Sequence, residues 1–180
     1  MGESIILTPL DIFRLEAGLK KSFGELMVDR IELHAVDGLI LPNLKMDGSK
    51  EACTFLDGGG RCSIHALRPD ICRLFPLGRY YEEGGFRYFL QINECEHESR
   101  VKIKVKKWLD IPDLKVHEKY ILDWQDYLKH MGAVLEYAEE AKRRDVCMRL
   151  LKVFYIRPYD DALDFYGQFY ARLEEGRICK

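Results

Sequence analysis

Hydrophobic side chains recur every three to four residues through the second half of the chain. From about Asp113 onward this spacing is seen in Val116, Tyr120 and Trp124, and it resumes after Gly132. A period near 3.6 residues is typical of amphipathic helices, whose apolar stripe faces a core. The pattern therefore predicts three helices, over residues 113–132, 134–154 and 161–173.

The first half carries shorter patterns that alternate between helical and extended. Thr8-Pro9-Leu10-Asp11 combines an N-cap residue, a proline and an acidic residue, as a helix start requires. Ser22-Phe-Gly-Glu25 is a capping box and predicts a second helix to about Leu33. Residues 36–46 indicate an extended pair, and residues 79–93 indicate a hairpin. We expect an α+β fold that is mostly α-helical, with short β-hairpins forming a central cysteine-rich loop region.

Basic residues are concentrated in the stretch 100–107, which holds five of them. They alternate with Val101, Ile103 and Val105, and this period of two predicts a half-buried strand or an extended lead-in to the helical half. Binding of nucleic acid is disfavoured, because no aromatic residues interleave with the lysines. The chain also carries 28 Lys+Arg against 30 Asp+Glu, a net charge of -2.

Nothing in the sequence separates the chain into independent domains. A length of 180 residues suits one hydrophobic core, and no Gly/Ser/Pro-rich linker interrupts it. We expect a single unit over 1–180, in which 1–99 hold a helix pair and cysteine-bearing hairpins and 100–180 form a helical half. The apolar runs are too short for a membrane-spanning helix, and no signal peptide is recognisable. We therefore expect a cytoplasmic protein with reduced thiols.

Six cysteines are unevenly distributed along the chain. Four lie in the central part with the spacing Cys-x8-Cys-x9-Cys-x22-Cys, at Cys53, Cys62, Cys72 and Cys95. The other two lie far downstream and are excluded from any shared site: Cys147 and Cys179. Three interpretations of the cluster stay open, namely a disulfide framework, four unrelated buried thiols, and a metal site. We favour the metal site, because four thiolates complete a tetrahedral shell around zinc or iron.

The residues between the cysteines favour a shared site. Asp57 to Gly60 supply positive φ at little cost, as a tight turn between two short strands requires, and such a turn can bring the sulfur atoms of Cys53 and Cys62 together. Pro69-Asp70 is typical of the start of a short helix. Cys72 then lies in the first helical turn, where free backbone N–H groups and nearby arginines favour the thiolate. The spacing does not choose between zinc and an iron–sulfur cluster.

The segment CTFLDGGGRCSIHALRPDICRLFPLGR, residues 53–79, closely resembles the CxxCxxCC-type (YkgJ-like) cysteine-cluster family, a zinc- or iron-chelating domain. The shared elements are a Cys-x-Phe-Leu hairpin, a Cys-Ser-Ile-His segment, and Arg-Pro-x-x-Cys-Arg-x-Phe-Pro. Leu-Thr-Pro-x-Asp at 7–11 and Val-Lys-Lys-Trp-Leu at 105–109 are also similar to the family. The resemblance therefore extends over most of the chain.

One element of the family pattern is missing. Members of the family carry Cys-x-x-Cys-x-x-Cys-Cys just before the Leu-Thr-Pro helix, whereas only Met1 to Ile6 occupy that region here. We expect the missing cysteines to lie upstream, in a longer natural N-terminus. The other explanation is that this protein has lost them and binds less metal, or none.

The resemblance implies chelation of zinc or iron, the iron either as an ion or in an iron–sulfur cluster. His65 is a candidate substitute ligand, because it lies three residues past Cys62. Arg68 and Arg73 are candidates for hydrogen bonds to sulfur, which would offset the negative charge of an all-thiolate site. A salt bridge of Arg68 with an aspartate is the alternative.

Two other functions stay open. One is an enzyme that uses the metal or a low-pKa Cys72, since some relatives are labelled iron–sulfur oxidoreductases or protein methylases. Three carboxylates are candidates for a catalytic base only because they lie near the cysteines in sequence: Asp57, Glu94 and Glu96. A methylase needs a cofactor pocket, and no Gly-x-Gly loop follows a strand. An interaction module would instead bind a protein partner through the helical half from Asp113 onward.

Overall fold

The computed structural model describes residues 5–48, 52–92 and 102–177. Within these residues the chain forms seven α-helices, six short strands, a 3₁₀ turn and a π-helical turn. In chain order they are α1 (Pro9–Leu19), α2 (Phe23–Asp29), β1 (Ile31–Val36), β2 (Leu39–Leu44), β3 (Met46–Asp47), β4 (Ala52–Cys53), the 3₁₀ turn (His65–Leu67), α3 (Asp70–Leu74), β5 (Leu77–Glu82), β6 (Gly85–Leu90), α4 (Val105–Leu109), α5 (Leu114–Leu135), α6 (Glu140–Leu151), the π-helical turn (Lys152–Ile156) and α7 (Phe165–Arg177).

Contacts within the chain divide it into two compact units. The first unit comprises the described residues up to Asp70 and from Met131 onward, and the second unit comprises those of Ile71–His130. Helix α5 contributes residues to both units. This division does not test whether the chain folds as one domain over 1–180, which stays a prediction.

The first two helices begin where the sequence predicts. Thr8 Oγ1 accepts a hydrogen bond from the Asp11 N–H at 3.2 Å, and the Asp11 carboxylate accepts one from the Thr8 N–H at 2.8 Å. Ser22 and Glu25 form the same reciprocal pair at the start of α2. Both capping boxes are confirmed, because such caps depend only on residues three positions apart.

The predicted end of α2 is wrong. The helix ends at Asp29 rather than Leu33, and the following residues form β1. β1 pairs antiparallel with β2, and the two strands turn at Asp37-Gly38, where both residues have positive φ, 49° and 81°. The pairing partner, which lies beyond the turn, makes this segment a strand and overrides its helical spacing.

The core of the first unit lies between the β1–β2 hairpin and the helices. β2 packs against α6, and the π-helical turn packs against α1, α2 and α7. The side chains at the centre are buried: Leu7, Ile12, Leu15, Leu26, Leu41, Phe154, Tyr155 and Phe169. Arg172 of α7 is 6% exposed and donates hydrogen bonds to three carbonyl groups, those of Val153, Arg157 and Pro158. These bonds give the carbonyl groups at the end of the π-helical turn a hydrogen-bond partner.

The three helices predicted for the second half are present with shifted boundaries. α5 continues past Gly132 to Leu135, and α7 begins at Phe165 rather than at 161. α6 begins at Glu140 rather than at 134. The reason is the Arg143 guanidinium, which donates to the carbonyls of Leu135 (3.1 Å) and Glu136 (3.0 Å) and so closes the end of α5.

The second unit contains the predicted β5–β6 hairpin, whose register runs from Leu77 opposite Leu90 to Glu82 opposite Gly85. The predicted strand over 100–107 is wrong from Val105 onward, because α4 begins there; residues 100 and 101 lie outside the described part of the chain. Leu109 of α4 is fully buried with Leu74 and Ile111, and the Trp108 indole N–H donates to the Leu74 carbonyl at 3.3 Å. The helix also packs Val105 against this core.

The α+β prediction is confirmed. The described residues combine the helices with three two-stranded antiparallel sheets, β1–β2, β3–β4 and β5–β6. No helix in the described part of the chain has the length and apolar character needed to cross a membrane.

Candidate metal site

The chain folds back on itself between Cys53 and Cys62. Cys53 ends β4, where it pairs with Met46 of β3. Further along, Leu56 forms a β-bridge with Cys62, and the Phe55 carbonyl accepts a hydrogen bond from the Ser63 N–H at 2.8 Å. The predicted return of the chain is therefore confirmed, although the second arm is a single bridge rather than a strand.

Asp57 stabilises this turn with its side chain. The carboxylate oxygen Oδ1 accepts hydrogen bonds from the N–H groups of Gly59 and Arg61, both at 2.9 Å. Gly60 has a φ of 74°, a left-handed conformation that glycine adopts with little strain. The Asp57 carboxylate thus has a structural role in the turn, and it forms no ion pair with Arg68 among the described residues.

The thiols of Cys53 and Cys62 share one local environment. Both are free and half-buried. Burial raises the pKa of the Cys53 thiol, and the nearby Cys62 thiol raises it further. A hydrogen bond from the Phe55 N–H and the positive charge of Arg30 lower this pKa, but burial is the largest of the four effects. In the metal-free protein Cys53 is therefore a protonated thiol at neutral pH.

Arg30 is the residue beside this pair that the sequence did not reveal. Its Nη1 donates a hydrogen bond to the Thr54 carbonyl, and its Cζ lies 5.1 Å from the centroid of the Phe55 ring. No spacing motif connects Arg30 with Cys53, because they lie in different elements. Only a correct prediction of β1 and β2, which return the chain from Arg30 toward β3, would have indicated the contact.

Thr54 Oγ1 and Arg68 Nε are among the polar atoms of the first unit that are buried without a hydrogen-bond partner in the described structure. Both can donate a hydrogen bond, and an unpaired buried donor is costly. An ionised cysteine is an acceptor for such donors. The neighbouring thiols of Cys53 and Cys62 fit a thiophilic metal, and the Thr54 hydroxyl belongs to the residue that follows Cys53.

The other predicted site residues belong to other elements or lie outside the described chain. His65 is exposed in the 3₁₀ turn, Cys72 is half-buried in α3 of the second unit, and Arg73 lies in the last turn of α3. Outside the described residues lie Cys95, Glu94 and Glu96. No three His, Cys, Asp or Glu side chains in the described segments form a group that could hold one ion. The complete ligand set stays a prediction.

Cys147, which we do not expect to bind the metal, lies in a different element from Cys53 and Cys62. It is buried in α6 and its sulfur lies 3.9 Å from the Gly38 carbonyl, so it packs against the turn between β1 and β2. Cys179 lies outside the described residues.

Comparison with known proteins identifies one family. Residues 19–103 match the family model CxxCxxCC, described as "Putative zinc- or iron-chelating domain". The match confirms the resemblance of residues 53–79 and includes all four clustered cysteines as well as Arg30, whereas the segments at 7–11 and 105–109 lie outside the matched residues. No curated protein and no solved structure matches the chain.

Proposed function

We propose that the protein binds zinc or iron through its central cysteines, on the premise that residues 19–103 match the model of the CxxCxxCC family. The observation that carries the proposal is the Cys53–Cys62 pair, which the glycine turn brings into one environment. Thiolates bind both metals well, and two of them supply half of a tetrahedral shell. Cys72 and Cys95 complete the proposed ligand set on the grounds of their sequence spacing alone.

The chemistry supplied by the bound group depends on its identity. Zinc would hold together loops that have little core of their own, whereas an iron–sulfur cluster would add transfer of single electrons. The role of the protein side chains is the same in both cases. The cysteines bind as thiolates, while Arg68 and Arg73 donate hydrogen bonds to sulfur and offset negative charge. The buried Nε of Arg68, which has no partner among the described residues, supports this role.

Metal binding must displace a proton from Cys53. Because burial raises the pKa of this thiol, the thiolate forms only when the metal stabilises it. We therefore expect the affinity for metal to fall as the pH is lowered, with release of protons on binding.

The proposal is tested on full-length protein purified anaerobically, and on stripped protein to which Co²⁺ is added. We expect zinc or iron by elemental analysis of the purified protein, and a thiolate-to-cobalt charge-transfer band with Co²⁺. Cys53→Ser and Cys62→Ser should each weaken binding by about a hundredfold or more, since loss of a ligand exceeds the roughly 10–100-fold effect of losing an outer partner. Cys147→Ser, the matched control outside the turn, should leave binding unchanged.

Colour separates the two metals. A brown protein that absorbs visible light indicates an iron–sulfur cluster, and a colourless protein with about one zinc per chain indicates a structural ion. Wild-type protein that holds neither metal and gives no charge-transfer band with Co²⁺ contradicts the proposal. A Cys147→Ser variant that loses metal as strongly as Cys53→Ser also contradicts it.

A further inference from the structure

We propose that Arg30 is a positioning residue of this metal site, which holds the Cys53 segment in place and keeps a positive charge beside the thiolates. The inference rests on the proposed function, since the role of Arg30 is directed toward the metal-bound form of Cys53 and Cys62.

The side chain of Arg30 makes three contacts at once. Nη1 donates a hydrogen bond to the carbonyl of Thr54, the residue directly after Cys53. The guanidinium lies over the ring of Phe55, with Cζ 5.1 Å from the centroid, and Nε lies 3.2 Å from Asp29 Oδ2. The two residues that follow Cys53 are thus both in contact with one guanidinium group.

The backbone of Arg30 is connected to the same segment. Its carbonyl accepts a hydrogen bond from the Lys45 N–H at 2.9 Å, and the Lys45 carbonyl accepts one from the Thr54 N–H at 3.1 Å. Arg30 is therefore joined to Thr54 through the main chain of Lys45 as well as through its own side chain. A shift of Cys53 relative to Arg30 would disturb both connections.

The geometry explains why this position needs arginine rather than lysine. The planar guanidinium can stack on a ring with its face while its edge donates hydrogen bonds in fixed directions. The ammonium group of lysine is a compact point charge and cannot make the Thr54, Phe55 and Asp29 contacts together. A lysine would keep the charge and lose most of the positioning.

The positive charge of Arg30 is available to the thiolates. Four thiolates on a divalent ion leave a net charge of about -2 at the proposed site, and Cys53 and Cys62 supply two of these thiolates in a half-buried loop. The negative charge of Asp29 lies beside Arg30 and partly neutralises it, but both side chains are partly exposed, 34% for Arg30 and 49% for Asp29. Exposed ion pairs of this kind are weak, so Asp29 does not cancel the effect of the guanidinium.

The inference is tested by competition titration of stripped protein with Zn²⁺ against a chromophoric chelator. Arg30→Met, which keeps the chain length and removes charge and hydrogen bonds, should weaken zinc binding by about tenfold or more. Arg30→Lys should lie between Arg30→Met and wild type. Arg144→Met is the matched control, because it removes one exposed positive charge of the same unit far in sequence from Cys53 and Cys62, and it should bind zinc like wild type.

A second readout examines the metal-free protein. Hydrogen exchange at the Thr54 amide should quicken by roughly fivefold in Arg30→Met and not in Arg144→Met, as expected for loss of a neighbouring hydrogen bond. This readout distinguishes positioning from a general loss of charge.

The outcomes separate the two proposals. If wild-type protein binds no zinc, the proposed function fails, whatever the variants do. If wild type binds zinc and Arg30→Met binds it as tightly, with unchanged exchange at Thr54, the role of Arg30 is overturned while the proposed function stands. Equal weakening by Arg144→Met would also overturn it, because net charge would then explain the effect.

Discussion

At the scale of single residues, Asp11 shows how one buried side chain serves two helix starts. Its carboxylate is 1% exposed and accepts hydrogen bonds from the N–H and hydroxyl of Thr8 and from the Asp70 N–H, each at 2.8 Å. Thr8 caps α1 and Asp70 begins α3. The sequence predicts free backbone N–H groups at the start of α3, near Cys72. In the structure the first of them, the Asp70 N–H, is not free because it donates to the Asp11 carboxylate.

Replacement of Asp11 should destabilise the protein. Asp11→Asn is expected to lower the free energy of unfolding by about 1–3 kcal/mol, since the amide –NH₂ group cannot accept one of the three hydrogen bonds and leaves a buried donor unpaired. Urea unfolding at pH 7 measures the effect. The matched control is Glu25→Gln at the exposed start of α2, which should cost clearly less because water can replace the lost hydrogen bond.

The effect of Asp11→Asn should depend on pH. Burial, and after it the nearby Asp70 carboxylate, raise the pKa of Asp11 above 3.8. The folded protein thus binds the proton of the Asp11 carboxyl group more tightly than the unfolded chain does. The contribution of this protonation to the free energy of unfolding is full below pH 3.8 and is lost as the pH rises through the raised pKa. Asparagine does not titrate, and the difference from wild type should be larger at pH 4 than at pH 7. Equal differences at both pH values would contradict the burial argument.

At the scale of elements, the glycine turn between Cys53 and Cys62 contains two positions with opposite requirements. Gly60 has a φ of 74°, where a side chain is strained. Gly58 has an ordinary φ, and a Cβ built on it meets no atom within 4 Å. The two glycines thus form a matched pair for testing whether the conformation of the turn matters to the site.

Gly60→Ala is expected to lower the free energy of unfolding by about 1–2 kcal/mol, the cost of a left-handed residue with a side chain, and to weaken zinc binding. Gly58→Ala should change stability by less than about 1 kcal/mol and leave zinc binding intact. Urea unfolding and the zinc competition titration measure both effects. If Gly60→Ala and Gly58→Ala behave alike, the turn does not position the cysteines.

At the scale of the whole molecule, Leu74 tests how the two compact units depend on each other. It is fully buried with Leu109 and Ile111 in the second unit. Leu74→Ala should lower the free energy of unfolding by about 2–5 kcal/mol, as expected for a cavity in a packed core. Ile71→Ala is the control, because that side chain is 47% exposed and its loss should cost less than about 1 kcal/mol.

Hydrogen exchange then shows whether the chain is one domain, as the absence of a flexible linker predicts. In a single cooperative domain, Leu74→Ala should quicken the slowest-exchanging amides of both units by the same factor. Faster exchange confined to 71–130 would show that the units unfold separately and that the single-domain prediction is wrong.

Features that neighbouring residues decide were determined by the sequence alone. The capping boxes at Thr8 and Ser22 and the return of the chain at Asp57–Gly60 depend on residues a few positions apart, and each is found as predicted. The α+β fold class and the confirmed family match follow in the same way, from periodicity and from a contiguous cysteine motif. The set of four cysteines is also a sequence inference, of which the structure brings together Cys53 and Cys62.

Features that depend on distant partners were decided only by the tertiary structure. Residues 31–36 are a strand because β2 pairs with them. Residues 105–109 form a helix that packs Val105 and Leu109 against Leu74. Arg30 lies beside the Cys53 segment because the β1–β2 hairpin carries the chain back to it. Local patterns record the preferences of a segment, whereas burial and pairing energy come from whichever part of the chain packs against it, and that energy is large enough to override the preference.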